Sequence, residues 1–180
     1  NGRLRAREVH FDDLLGKVEE VSTPDGPKLQ IHKRKNKKQL DRGTPRRTVQ
    51  FVEQHCVFFR RSAFDKIGRY AEDLNTRDEI DLSLAIRKAN LTIVFEPKCE
   101  VHYPPPHTLD PPLQDETEFY FMKWDLKQAA ESRERIRDKW NLVETPGDMG
   151  FVKERNLVGQ VQVIRKELID TIPKGESFIL

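Results

Sequence analysis

Residues 104–112 read Pro-Pro-Pro-His-Thr-Leu-Asp-Pro-Pro, five prolines in nine positions. Proline carries no amide hydrogen and has a fixed φ, so this stretch joins neither a helix interior nor a sheet ladder. A strand that runs into this stretch must therefore close before Pro104. Any long helix on the C-terminal side must open after Pro112.

Upstream, Arg3–Gly16 alternates weakly and predicts a strand entering a turn. Ser22–Lys28 (STPDGPK) is a turn by composition. Val49–Phe59 (VQFVEQHCVFF) is rich in β-branched and aromatic residues and predicts a strand. A period of two puts Phe51, Glu53, His55 and Val57 on one face and Val52, Gln54, Cys56 and Phe58 on the other. Ser62 is placed to cap a short helix that stops at Gly68. A longer helix opens near Glu79 and ends near Asn90, a residue that tolerates the left-handed cap conformation. Leu91–Pro97 predicts a second strand. Lys98–Tyr103 predicts a third, with Cys99, Val101 and Tyr103 on one face and Lys98, Glu100 and His102 on the other.

Downstream, Phe119, Met122, Leu126, Ala129, Ile136 and Trp140 recur at three- and four-residue steps, broken only by Arg133. This predicts one amphipathic helix over 115–140. Leu157, Val161, Ile164 and Leu168 keep helical spacing in the tail and predict a helix that docks through that stripe. The expected organisation is a domain over 1–143 and a docked helical extension over 144–180.

Composition narrows the function classes. Of the 180 residues 34% are charged and the net charge is only +2, while apolar runs remain. That describes a folded polar chain rather than a disordered one. No run of 18 apolar residues occurs, so no segment predicts a membrane-spanning helix. The chain opens on Asn1 in mid-pattern, which predicts a fragment or a processed piece of a longer protein, so the lack of a secretory leader says little about the parent; the compartment is not readable, with an intracellular setting, cytoplasmic or Golgi, as the expectation. Cys56 and Cys99 fit no zinc spacing; two buried thiols are expected rather than a disulfide.

Nine Lys or Arg lie between Lys28 and Arg47 against one acid, Asp41. Such a run predicts a solvated loop, with a phosphate-bearing ligand as the other reading. Nucleic acid is the weaker partner, because the run holds no aromatic residue for base stacking.

The acids Asp78, Glu79 and Asp81 crowd the start of the second helix. Thr76 and Glu79 have capping-box spacing, so Glu79 has a structural reading as the reciprocal cap residue. Asp78 fits a first-turn position facing the helix dipole, and Asp81 fits a structural tie. His102, the one histidine on its strand face, fits polar surface.

The order of these elements resembles the C-terminal half of the catalytic domain of family 2 glycosyltransferases, which have the GT-A fold. The resemblance rests on Arg60, Arg61, Phe64 and Gly68, on Asp78, Glu79, Asp81 and Leu82, and on Leu84, Arg87 and Asn90. Pro97, His102 and the Lys123–Trp124 and Lys139–Trp140 pairs complete it, over residues 50–142. In this chain the acidic pair runs Asp then Glu, Asn90 stands where the family has glycine, and no Asp-x-Asp triplet occurs. That triplet belongs to the family's nucleotide-binding half.

The resemblance implies an α/β architecture: the C-terminal portion of a GT-A-type, Rossmann-like mixed sheet flanked by helices. It implies inverting sugar transfer from a nucleotide-sugar donor to a glycan, lipid or protein acceptor, with Mn²⁺ or Mg²⁺ as cofactor. Glu79 then matches the general base, Asp78 orients the site, His102 matches a metal ligand, and His55 and Glu53 line the acceptor side. The alternative is a non-catalytic relative that binds a glycan, a nucleotide or a protein. A basic module for phosphate or nucleic acid is the weaker rival.

Overall fold

A computed structural model describes residues 7–8, 17–32, 45–52, 57–99, 102–103, 114–146 and 149–173. The element order is β1 (Arg7–Glu8), β2 (Lys17–Thr23), β3 (Gly26–His32), β4 (Arg47–Val49), α1 (Arg61–Ile67), α2 (Asp78–Lys88), β5 (Ile93–Phe95), β6 (His102–Tyr103), α3 (Gln114–Lys123), α4 (Leu126–Trp140) and α5 (Gly150–Thr171). The protein is mixed α/β. Among the described residues the strands form three antiparallel pairs, β1–β6, β2–β3 and β4–β5. No helix among the described residues is long and apolar enough to cross a membrane.

α2 lies at the centre. Ile80, Leu82, Leu84 and Ile86 are all buried, so the helix is apolar on both sides, as expected of a helix enclosed by its neighbours. Ile80 and Leu84 pack with Val18, Phe51, Ile136 and Leu142. Leu82 and Ile86 pack with Val52, and Phe59, Ile67, Leu91 and Ile93 close that second cluster. The helix ends as its sequence suggests. Asn90 takes φ 53, the Leu91 amide returns to the Ile86 carbonyl at 3.0 Å, and Leu91 packs beside Ile86.

The β2–β3 hairpin turns at Pro24–Asp25, within the stretch whose composition marked a turn. Gly26 follows at φ 106, a conformation that needs glycine. The hairpin is tied to the end of α4: the Leu29 amide donates to the Asn141 carbonyl at 3.0 Å, and the Val143 amide to the Leu29 carbonyl at 2.9 Å. The basic run thus begins inside a strand, since Lys28 belongs to β3, and Arg47 opens β4; residues 33–44 lie outside the described set.

Several sequence expectations need correction. The strand over 49–59 is reduced to β4, ending at Val49; residues 50–52 and 57–60 are irregular, and 53–56 lie outside the described residues. The Val52 amide donates to Ser83 Oγ at 3.0 Å, a bond to α2 in place of a ladder. The strand over 91–97 contracts to 93–95 because Leu91 is folded back on the helix cap. Of the strand over 98–103, His102 and Tyr103 pair with β1, Lys98 lies in a turn, and residues 100–101 lie outside the described residues. Cys99 is exposed rather than buried. α1 opens at Arg61 with Arg60 at the N-cap, so Ser62 sits in the first turn, while Gly68 ends the helix at φ 82 as expected.

The helix over 115–140 is two helices. Asp125 caps α4 by accepting a bond from the Gln128 amide at 2.7 Å. Arg133, the break in the apolar stripe, donates to Pro146 O and Thr145 Oγ1, each at 3.1 Å, and so ties down the following loop.

α5 docks through a different face from the one its apolar spacing suggests. Leu157, Val161, Ile164 and Leu168 are exposed, while Val152 and Gly159 are buried. Gly159 lies under Tyr120, where an added Cβ would stand 2.6 Å from a ring carbon, so the close approach requires glycine. Tyr120 Oη donates to the Arg155 carbonyl at 2.7 Å, and Asn156 Nδ2 to the Trp124 carbonyl at 3.1 Å.

Candidate functional site

The acidic turn before α2 is held from a distance in sequence. The Asn75 amide donates to Ser132 Oγ at 3.1 Å, and Ser132 Oγ lies 3.0 Å from Asn75 Oδ1. Asn75 Nδ2 donates to the Met122 carbonyl at 3.2 Å, where α3 runs out. The end of α3 and the second turn of α4 therefore set the height and angle of the turn that carries Arg77, Asp78 and Glu79.

Asp78 and Glu79 sit side by side in the first turn of α2, each with a cation near it. Lys123 Nζ, at the end of α3, lies 3.7 Å from Asp78 Oδ1; Arg77 lies 4.0 Å from Glu79 Oε1. All four side chains are partly buried, with roughly a fifth to a third of their surface open to solvent. The site thus holds two carboxylates and two cations at one helix start. That arrangement can accept a proton, orient a hydroxyl and offset negative charge on a ligand.

The Thr76–Glu79 capping box is not formed. The N-cap is Arg77, in the left-handed conformation at φ 65, with no side-chain cap bond. Thr76 is 4% exposed and its Oγ1 has no hydrogen-bond partner. The hydroxyl half of the cap, the structural account of this spacing, is absent.

Asp81 points away from this pair. It is 6% exposed and receives Lys139 Nζ at 2.8 Å and Trp140 Nε1 at 2.6 Å. Lys139 and Lys88 also lie over the Trp140 ring, at 5.5 and 5.9 Å from its centre. Asp81 is a structural tie, as its sequence context suggests, but its partners are on α4 rather than in a loop. Lys139 also lines a cleft of about 320 Å³ between Ala71, Asp73 and Leu74 on one side and Arg135, Ile136 and Asp138 on the other.

Tyr70 marks the field of Asp78. Burial, and then the charge of Asp78, push its hydroxyl above the ordinary value of 10.0. The folded state therefore holds this proton more tightly than the unfolded chain does. Its contribution to stability is complete below about pH 10 and is lost as pH rises through the folded value. Asp78→Asn is expected to lower the Tyr70 pKa, read from tyrosinate absorbance as the difference from Tyr70→Phe. An unchanged titration would refute the coupling.

Of the residues expected at the site, Asp78 and Glu79 are adjacent. Glu53 and His55 lie outside the described residues. The His102 backbone is in β6, opposite Glu8 of β1, and its side chain lies outside the described set. Lys123, Tyr70 and the Asn75–Ser132 tie were not expected there. Lys123 carried a signal, as part of the Lys-Trp pair that closes α3; Tyr70 precedes Asp78 across an irregular stretch, and the Asn75–Ser132 tie joins segments remote in sequence. No group of three or more His, Cys, Asp or Glu side chains is placed to hold a metal among the described residues. No protein-family model, no curated protein and no solved structure matches this chain.

Proposed function

We propose that this chain is the acceptor-side portion of an inverting glycosyltransferase of the GT-A type, transferring sugar from a nucleotide-sugar donor to an acceptor hydroxyl. One observation carries the reading. Glu79 stands in the first turn of α2 beside Asp78, in a turn whose side-chain cap is unmade and whose backbone is strained at Arg77. Strain of this kind collects where function rather than stability sets the conformation.

In this reading Glu79 takes the proton of the acceptor hydroxyl as that oxygen attacks the anomeric carbon. The bond from that carbon to the diphosphate oxygen breaks, and its electron pair leaves with the diphosphate. A single base is enough, because no water has to be activated on a second carboxylate. Asp78, steadied by Lys123, orients the acceptor, and Arg77 sets the position of Glu79. Mn²⁺ or Mg²⁺ belongs to the reading as the neutraliser of the leaving diphosphate. No group of three or more His, Cys, Asp or Glu side chains among the described residues is placed to hold it.

The test is nucleoside diphosphate release from a panel of nucleotide sugars, with and without hydroxyl acceptors. The reading expects release that depends on the acceptor. Donor or glycan binding with no release from any pair would assign the chain to a non-catalytic binding module.

A further inference from the structure

The first turn of α2 sets its sequence against its conformation. Thr76-Arg77-Asp78-Glu79 has the spacing in which a threonine caps the helix and a glutamate three residues on completes the box. A helix capped in that way starts at Arg77. The observed helix starts at Asp78, with Arg77 outside it at φ 65 and ψ 17. Two costs accompany this choice. An arginine is held in the left-handed region, which disfavours side chains with a Cβ. The Thr76 hydroxyl is also buried with no hydrogen bond.

The forces that offset these costs are visible. Asn75 is tied by its amide to Ser132 Oγ and by its side chain to the Met122 and Lys123 carbonyls. Asp78 is drawn to Lys123. All of these contacts reach α3 and α4, so the uncapped turn is maintained by tertiary contacts against a local preference. A turn with two competing arrangements of similar free energy is bistable.

We propose that the start of α2 is a two-state switch between the uncapped form described above and a capped form. In the capped form Arg77 takes right-handed helical angles and becomes the first residue of α2. Thr76 becomes the N-cap, and its Oγ1 accepts a bond from the Glu79 amide. Rotation at Arg77 re-aims the Asp78 and Glu79 side chains and parts Asp78 from Lys123. The uncapped form is the one that presents the carboxylate pair, and a ligand that engages the pair selects it. The functional consequence rests on Glu79 acting as the base; the conformational equilibrium does not.

Relaxation dispersion on the ligand-free protein reads the equilibrium directly, with the backbone resonances of residues 75–80 as reporters. Wild-type protein is expected to show exchange confined to this turn. Thr76→Val keeps the shape and removes the hydroxyl, so it should abolish the exchange with the melting temperature unchanged or raised. Asn75→Ala removes the side-chain bonds of the tether and leaves the backbone amide bond to Ser132 Oγ, and should raise the capped population by about 10-fold, the shift that roughly one net hydrogen bond allows. A lower melting temperature in Thr76→Val would mean that the cap is already made, and would overturn the proposal. So would the absence of exchange in both wild type and Asn75→Ala. None of these readouts uses turnover, so the switch and the transferase reading fail separately.

Discussion

Asp81→Ala is expected to destabilise the protein by about 2–3 kcal/mol. The carboxylate is buried against α4, where it accepts from both Lys139 Nζ and Trp140 Nε1. Its removal strands an indole N–H in a partly buried place and leaves an ammonium without its counter-ion. The loss stays below that of a fully enclosed ion pair, because about half of the Lys139 side chain is open to water and can be solvated there. For a chain of this size the melting temperature should fall by roughly 5–10 °C. Asp81→Asn keeps one acceptor for the indole and should lose about half as much. Urea denaturation checks both, with the slope unchanged and the midpoint lowered. An unaltered midpoint for Asp81→Ala would show that the tie between α2 and α4 contributes nothing.

Glu79→Gln should behave in the opposite way. Glutamine matches glutamate in size and still accepts hydrogen bonds through its amide oxygen, but it does not take up a proton at working pH. The transferase reading expects kcat to fall by about 10²-fold or more, the usual span for a lost general base. Donor affinity should change little, because the carboxylate acts on the acceptor hydroxyl. Stability should also hold, since Glu79 lies partly exposed at a helix start and its nearby cation is Arg77 at 4.0 Å. The contact stands at the 4.0 Å limit of an ion pair and glutamine keeps the hydrogen-bonding capacity of the site, so the expected loss is at most about 1 kcal/mol.

How legible the fold was depends on whether a segment's partner is near in sequence. The α2 helix could be read from local signals at its two ends, the Thr76–Glu79 spacing at its start, although that cap is unmade, and the left-handed Asn90 at its end. Gly68 ended α1 for the same reason. The α3–α4 break also had a local signal, Asp125 with Gln128 three residues on, but the apolar stripe that runs across it masked the cap. The β2–β3 hairpin was visible only as its turn, because charged residues interrupt the apolar positions of β2, which is mostly exposed, and β3 is mostly half-exposed. The docked face of α5 was unreadable: what buries Gly159 is the Tyr120 ring, and apolar periodicity does not reveal a close approach.

The candidate site was half legible on the same principle. Asp78 and Glu79 announced themselves by crowding a helix start. The conformation of their turn did not follow from Thr76 and Glu79, because Asn75 is held by Ser132, 57 residues further along the chain. A local motif lost to a tertiary tether. Lys123 was marked by its Lys-Trp pair but not its approach to Asp78, and no spacing in the chain sets Tyr70 within the field of that carboxylate.

The central claim is that Glu79 moves a proton rather than holds a helix. Its most direct test is the single-turnover rate of sugar transfer by Glu79→Gln, measured beside its melting temperature, with Asp81→Asn as the stability control. The account predicts a rate lowered by about 10²-fold or more at an unchanged melting temperature, and a lowered melting temperature with near-normal rate for Asp81→Asn. A Glu79→Gln protein that transfers sugar at the wild-type rate, with chemistry limiting, would contradict it.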